Sequence, residues 1–155
     1  MRRSDREVSN TYEIEEIIRS CRVCRIAMNT VDGIYIIPMN FGYAYEGESF
    51  VFYFHGACEG RKIDALKKIP YAAFEMDCQC SLSEGSSPCS YSFLYKSVIG
   101  SGKVEFIKKI EDKKAALNII MKHQTGKNFK FDEKIVSKTA VFRLVAEKIS
   151  AKENK

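Results

Sequence analysis

Apolar positions change their period several times along this chain. Ile14, Ile17, Ile18 and Cys21 recur at helical spacing, and Asn10 with Glu13 three residues on has the pattern of a capping box. A first helix is predicted over 11–21. From 22 to 29 the pattern turns to alternation, with Val23, Arg25 and Ala27 against Cys24, Ile26 and Met28, as in a strand with two unlike faces. Asp32-Gly33 is a hairpin signal. A long strand is predicted over 34–45, and Pro38 inside it implies an edge position or a bulge. Glu46-Gly47-Glu48 turns the chain again, and 49–55 alternates cleanly. Phe50, Phe52 and Phe54 are expected in a core, and Val51, Tyr53 and His55 on a face toward a groove.

The second half continues the mixture. A short helix is predicted over 60–69, with Ile63, Leu66 and Ile69 inward and Pro70 as its stop. Residues 71–78 read as a strand, and 81–90 (SLSEGSSPCS) as a loop by composition. A long strand over 91–107 is interrupted by Gly100 and Gly102. A third helix over 111–123 places Leu117, Ile120 and Met121 inward, and a last strand covers 139–149. The order is helix, three strands, helix, two strands, helix, strand. Consecutive strands are joined by turns too short for parallel crossovers. This predicts a mostly-β antiparallel barrel with about three peripheral helices rather than a doubly wound sheet.

Composition narrows the reading. A chain of 155 residues argues for a single domain, 1–155, large enough to build a core without disulfides or a structural metal. No apolar run reaches the length of a spanning helix, and the basic start has no apolar stretch behind it. A cytoplasmic protein with no membrane partner is expected, and its six cysteines are then expected to be free thiols. The net charge of +5 is modest and comes without aromatic–basic interleaving, so no nucleic-acid partner is expected. Cys21-x-x-Cys24 has no second pair at knuckle spacing, so no metal site is expected and both read as small core residues. Cys78, Cys80 and Cys89 cluster without a physical account. His123 falls in the last turn of the third helix, where a cation complements the dipole.

Three stretches could carry chemistry. In His55-Gly56-Ala57-Cys58-Glu59-Gly60-Arg61-Lys62 a strand end leads through two glycines into a helix opening with two cations. Free N–H groups, a positive helix end and two basic side chains suit a phosphate, although Arg61 and Lys62 could also be solvated charges. In Ile37-Pro38-Met39-Asn40-Phe41-Gly42-Tyr43, Asn40 offers both donor and acceptor to the edge of a planar heterocycle, or caps a bulge. In Tyr95-Lys96-Ser97-Val98-Ile99-Gly100-Ser101-Gly102, Ser97 could bond a ligand, while the glycines mark a bend or a close backbone approach.

Taken together with the opening Met1-Arg2-Arg3-Ser4-Asp5-Arg6, these stretches resemble the nitroimidazole-resistance proteins, colinearly from Met1 to about Ser150. Those belong with the pyridoxamine 5′-phosphate oxidase-like flavoproteins. The resemblance implies a Greek-key split β-barrel of the FMN-binding type, a homodimer with flavin in two grooves at its interface. It places the flavin phosphate at Gly60, Arg61 and Lys62, and the ring along Pro38, Met39, Asn40 and Phe41. It brings Lys96, Ser97 and Val98 from the long strand, from either protomer, and sets His55 near the reactive face. No arginine stands at Ile36-Ile37-Pro38, where the oxidases carry part of their phosphate clamp, and Lys96 could substitute. The substrate-binding His and Arg set of true pyridoxamine phosphate oxidases is not evident.

The implied function is a flavin-dependent oxidoreductase that reduces small electron-poor compounds such as nitroimidazoles and other nitroaromatics. FMN is the expected cofactor, with FAD possible and NAD(P)H as an electron donor. His55 would be the catalytic proton donor or orienting group. The alternative is a non-catalytic carrier or sensor holding flavin or haem in the same fold.

Overall fold

Alternation places half of each strand inside and leaves the helices to close the ends. The computed structural model describes residues 3–155; Met1 and Arg2, part of the resemblance above, lie outside them. The elements are β1 (Glu7–Val8), α1 (Thr11–Ser20), β2 (Val23–Thr30), β3 (Gly33–Asn40), β4 (Gly42–Glu46), β5 (Ser49–Ala57) and α2 (Arg61–Lys68). After these come β6 (Tyr71–Ser83), β7 (Ser92–Ile107), α3 (Ile110–Thr125), α4 (Glu133–Ser137) and β8 (Thr139–Asn154). The strands form one antiparallel sheet in the order β3-β2-β6-β7-β8-β5-β4, with β1 on β8. β3 and β4 occupy its two ends, yet they meet in sequence at the fully buried Phe41. The sheet therefore curls into a barrel joined through the chain at this bend and unpaired elsewhere along the seam, which is a split barrel.

Phe50, Phe52 and Phe54 point into the barrel with Phe41, Phe74 and Phe142. The Phe52 and Phe74 rings are 4.7 Å apart. Truncating one such ring to alanine costs about 3–5 kcal/mol. Asn10 caps α1, its side chain accepting from the N–H groups of Tyr12 at 2.9 Å and Glu13 at 3.3 Å. Ile14, Ile17, Ile18, Cys21 and Cys24 complete that end of the core.

Several expectations need correction. The strand predicted over 34–45 is two strands, because the chain bends at Phe41 beneath α3. A Cβ on Gly42 would stand 2.6 Å from the Ile119 carbonyl and the Ile120 Cα. The face of Val51 and Tyr53 does not line a groove. Both are buried under α3 and α4 with Ala116, Leu117, Ile120 and Val136, and His55 alone of that trio is exposed. Ile69 is not inward: α2 stops at Lys68 and buries Ala65 with Ile63 and Leu66. Met121 is half-buried, and Lys113 takes an inner position by donating to the Thr139 carbonyl at 2.7 Å. β6 runs to Ser83, past a register shift between Cys78 and Ser81 where Gln79 has φ 54°. β8 runs five residues beyond the predicted 149, and α4 was not foreseen.

Gly100 and Gly102 have a structural reason. Side-chain carbons there would sit 2.3 Å from the Lys148 carbonyl oxygen and 1.8 Å from that of Val145, where β7 and β8 shift register. His123 does not act as a dipole-complementing cation. Its ring packs 4.7 Å from Phe41, Nε2–H donates to the Cys21 carbonyl at 2.8 Å, and burial pushes its pKa down.

Candidate functional site

β5 ends and α2 begins at one mouth of the barrel. Gly60 makes the connection at φ +115°, a conformation L side chains rarely adopt, and no side chain caps the helix. The Ile63 and Asp64 N–H groups return to the Gly60 carbonyl at 2.9 and 3.1 Å. Those of Arg61 and Lys62 have no acceptor among the described residues, as the geometry of a helix start dictates. Space beside Gly60 is open, with nothing within 4 Å of a built Cβ.

The two cations diverge, because consecutive helical residues point about 100° apart. Lys62 turns toward β5, and its Nζ would lie 2.5 Å from a Cβ on Gly56. It has no carboxylate partner among the described residues, and burial lowers its pKa. His55 is adjacent. Its pKa lies below the ordinary histidine value, through burial first and then the charge of Lys62. Near neutral pH it is therefore an uncharged imidazole beside an uncompensated ammonium.

Arg61 turns the other way, onto the β2–β3 hairpin. It donates to Thr30 Oγ1 at 3.3 Å, pairs with Asp32 at 3.5 Å, and stands 4.6 Å over the Tyr35 ring. Sequence reasoning recognised the hairpin but missed these partners, since nothing in the local pattern says which helix the turn meets. Between α2 and the hairpin lies a cavity of about 440 Å³ walled by Val31, Ala65 and Ile69, with Asp32, Asp64 and Lys68 at its rim. Asn29 also borders a second hollow of about 220 Å³ on the outer sheet face, with Ala27, Ile34, Tyr71 and Ala73.

The other expected site residues are placed as follows. Met39 and Phe41 are buried with their side chains in the core, and the Phe41 carbonyl accepts from Gln124 Nε2 at 2.9 Å, so Phe41 presents no surface, while the side chains of Pro38 and Asn40 are exposed. Asn40 Nδ2 donates to the Arg22 carbonyl at 3.1 Å and to Gln124 Oε1 at 3.4 Å, tying the bend to α3. Val98 is buried, Lys96 pairs with Glu153 at 3.0 Å, and Ser97 lies opposite Asp77 on the outer face. His55 lies opposite Val141 and Lys96 opposite Glu153, twelve residues apart on β8, about 40 Å along the strand. One protomer does not bring Lys96–Val98 to the mouth at α2.

The outer sheet face mixes apolar and charged positions. Ile36, Ala27, Ala73 and Ser101 align across four strands, and beside them Pro38, Arg25, Glu75 and Ile99. Ile34, Ile36, Tyr71 and Ile99 are exposed there. Arg25 bridges Glu75 at 3.0 Å and Asp77 at 2.6 Å. Among the described residues no group of three or more His, Cys, Asp or Glu could hold a metal, and no helix is long and apolar enough to cross a membrane.

Comparison with known proteins places this geometry among relatives. A family model described as pyridoxamine 5′-phosphate oxidase matches residues 10–153. Among solved structures, a candidate 5-nitroimidazole antibiotic resistance protein from Bacteroides thetaiotaomicron is similar at 30% identity and TM-score 0.83, over 95% of this chain and 86% of that one. The flavocytochrome Anf3 from Azotobacter vinelandii superposes at TM-score 0.83 with 18% identity, over 100% of this chain and 72% of that one. An FAD- and haem-binding protein from Mycobacterium smegmatis gives 0.82 and 18%, over 97% and 74%. At such identities the last two show the fold alone. No curated protein matches by sequence.

Proposed function

We propose, from the premise that the chain belongs to the pyridoxamine 5′-phosphate oxidase family, that it is a flavin-dependent oxidoreductase acting on small electron-poor organic compounds, nitroimidazoles and other nitroaromatics among them. The observation that carries the reading is the half-buried Lys62 ammonium, without a carboxylate partner among the described residues, beside His55 at the uncapped start of α2. A buried charge left uncompensated is costly, and the ribityl phosphate of FMN would compensate it. The free N–H groups of Arg61 and Lys62 and the open space at Gly60 fit the same group.

When bound, the flavin supplies the electron transfer, with NAD(P)H as the source of reducing equivalents. The chain's own residues bind and orient. Lys62 and the first turn of α2 hold the phosphate. Pro38 and Asn40, the exposed residues of that stretch, border the ring. His55 hydrogen-bonds at the reactive edge. Once an anion offsets the field of Lys62, its imidazole can hold the proton that a nitro acceptor takes up. Two copies packed through the outer sheet face would cover Ile34, Ile36, Tyr71 and Ile99. In such a two-fold pair each copy would offer Lys96 and Ser97 to the groove of the other, as the resemblance implies.

Native purification tests this directly. The protein should be yellow, release a flavin identifiable by mass, and scatter light as a dimer. It should consume NAD(P)H only with a nitroaromatic present. A colourless protein that also fails to bind added FMN overturns the flavin reading, and a Soret band in place of flavin absorption favours a haem carrier. A 17.7 kDa monomer with flavin bound overturns the interface.

A further inference from the structure

We propose that the cavity of about 530 Å³ between α1, β4 and α3 binds a small aromatic carboxylate, at a site separate from the α2 mouth. Arg22 precedes β2 and lines this cavity, whereas Thr30 ends β2 and meets Arg61. The strand between them has 8 residues and spans about 26 Å. The inference does not depend on the flavin reading.

The strand edge is the first argument. β4 ends the sheet and pairs only with β5. The Gly47-Glu48 turn has φ 53° and 67°, and it joins the Glu46–Ser49 pair. A two-residue hairpin of this kind closes on a hydrogen-bonded pair. Alternation then leaves Tyr45–Phe50 and Tyr43–Phe52 as non-hydrogen-bonded pairs, so the N–H groups of Tyr43 and Tyr45 point away from β5. Tyr43, Ala44 and Tyr45 line the cavity and no residue of β5 does, so the cavity lies on that free side. Neither N–H has another acceptor among the described residues, and a carboxylate oxygen can take one of them.

Charge is the second. Arg22 and Lys122 stand at the rim without a carboxylate partner among the described residues. One nitrogen of Arg22 donates to the His123 carbonyl, which leaves its remaining N–H groups for an anion. The two carboxylates nearby are engaged: Glu15 accepts from the Tyr43 hydroxyl at 3.3 Å, and Glu16 pairs with Arg19. α3 ends beside these cations, but its terminus carries only about half a negative charge, too little to balance two. A carboxylate between Arg22 and Lys122 would form charge-assisted bonds to both.

The walls are the third. Tyr45 is 47% exposed and held against Phe50 at 4.8 Å, and Tyr43 is half-buried against the His123 ring at 5.3 Å. With Ile119 they offer ring faces and an aliphatic surface to a planar body. The volume is within the ~300–1,000 Å³ usual for small-molecule sites. β4 has only 5 residues and is walled by two helices, so its edge suits one carboxylate better than an added strand.

Calorimetric titration of the full-length protein with benzoate tests this. Benzoate should bind with a Kd of about 1 mM or tighter. Benzamide, which keeps the ring without the charge, and acetate, which keeps the charge without the ring, should each bind at least tenfold more weakly. The imidazole Cε1 proton of His123 should shift as benzoate is added. Lys122→Glu should weaken benzoate at least tenfold with circular dichroism unchanged, since that side chain is exposed. Tyr45→Ala should weaken benzoate and leave acetate within twofold, and Lys62→Ala should leave benzoate within twofold. No benzoate binding at millimolar concentration overturns the inference. So does acetate or inorganic phosphate binding as tightly as benzoate, which would make the cavity a site for bare oxyanions. Benzoate binding lost in Lys62→Ala and kept in Lys122→Glu assigns the anion to the α2 mouth and overturns it too.

Discussion

Lys62→Ala isolates the interaction on which the proposed site depends. The side chain removed is a half-buried ammonium with no carboxylate partner among the described residues, lodged against Gly56 beside His55. A hydrogen bond to a charged group is worth about 1.5–3 kcal/mol, so FMN should bind roughly 10- to 150-fold more weakly, at about 1.4 kcal/mol per tenfold. Stability should not fall, because a cation in the first turn opposes the helix dipole by about 0.3–1 kcal/mol. A second, independent readout is His55. Lys62 is one of two causes depressing its pKa, burial being the larger. Its removal should raise the His55 titration part of the way toward the ordinary value near 6.5. Calorimetry with FMN and an NMR titration of the imidazole Cε1 proton measure the two. An FMN affinity within twofold of the parent, or a His55 titration that does not move, would refute the placement of Lys62.

Two further predictions concern the framework of the site. Gly42→Ala sets a methyl 2.6 Å from the backbone of α3 and should destabilise the fold by about 1–3 kcal/mol in urea denaturation; a variant as stable as the parent would mean that α3 shifts freely on β4. His123 has a folded pKa depressed by burial first and by Arg22, opposed by the Cys21 carbonyl. The unfolded chain thus takes up the proton more readily. This contribution to stability is complete above about pH 6.5 and is lost as pH falls through the folded pKa. Melting curves from pH 7.5 to 5.0 should show a shallower acid loss in His123→Gln than in the parent, and identical slopes would count against a buried neutral imidazole.

The fold was legible where pattern alone decides. Alternating phenylalanines over 50–54 marked the core strand, and Pro38 implied an edge position or a bulge, of which β3 shows the edge. Sequence pattern could not say that both faces of β5 are covered, because that depends on α3 arriving some sixty residues later. The bend at Phe41 was hidden for a related reason: nothing local marks it except Gly42, whose role is a contact with Ile119. Residues 150–154 carry a polar and charged sequence, yet they complete a ladder because β7 and β1 flank them. At the site, the opposed directions of Arg61 and Lys62 follow from helical spacing. Their surroundings do not, since Thr30, Asp32 and Tyr35 come from a distant hairpin.

β8 has a consequence for how this molecule comes into being. It is the inner strand that joins β5 on one side to β7 on the other, and it also anchors β1. On a ribosome, every other strand emerges before it, and both flanking edges wait with their backbone groups unpaired. Closing those ladders joins Val51 to Val145 and Glu7 to Lys152, and such distant pairings are slow to form. The growing polypeptide therefore remains an open, adhesive sheet until β8 arrives. Release of residues 139–154, and chaperone cover until then, set the moment at which the barrel can exist at all.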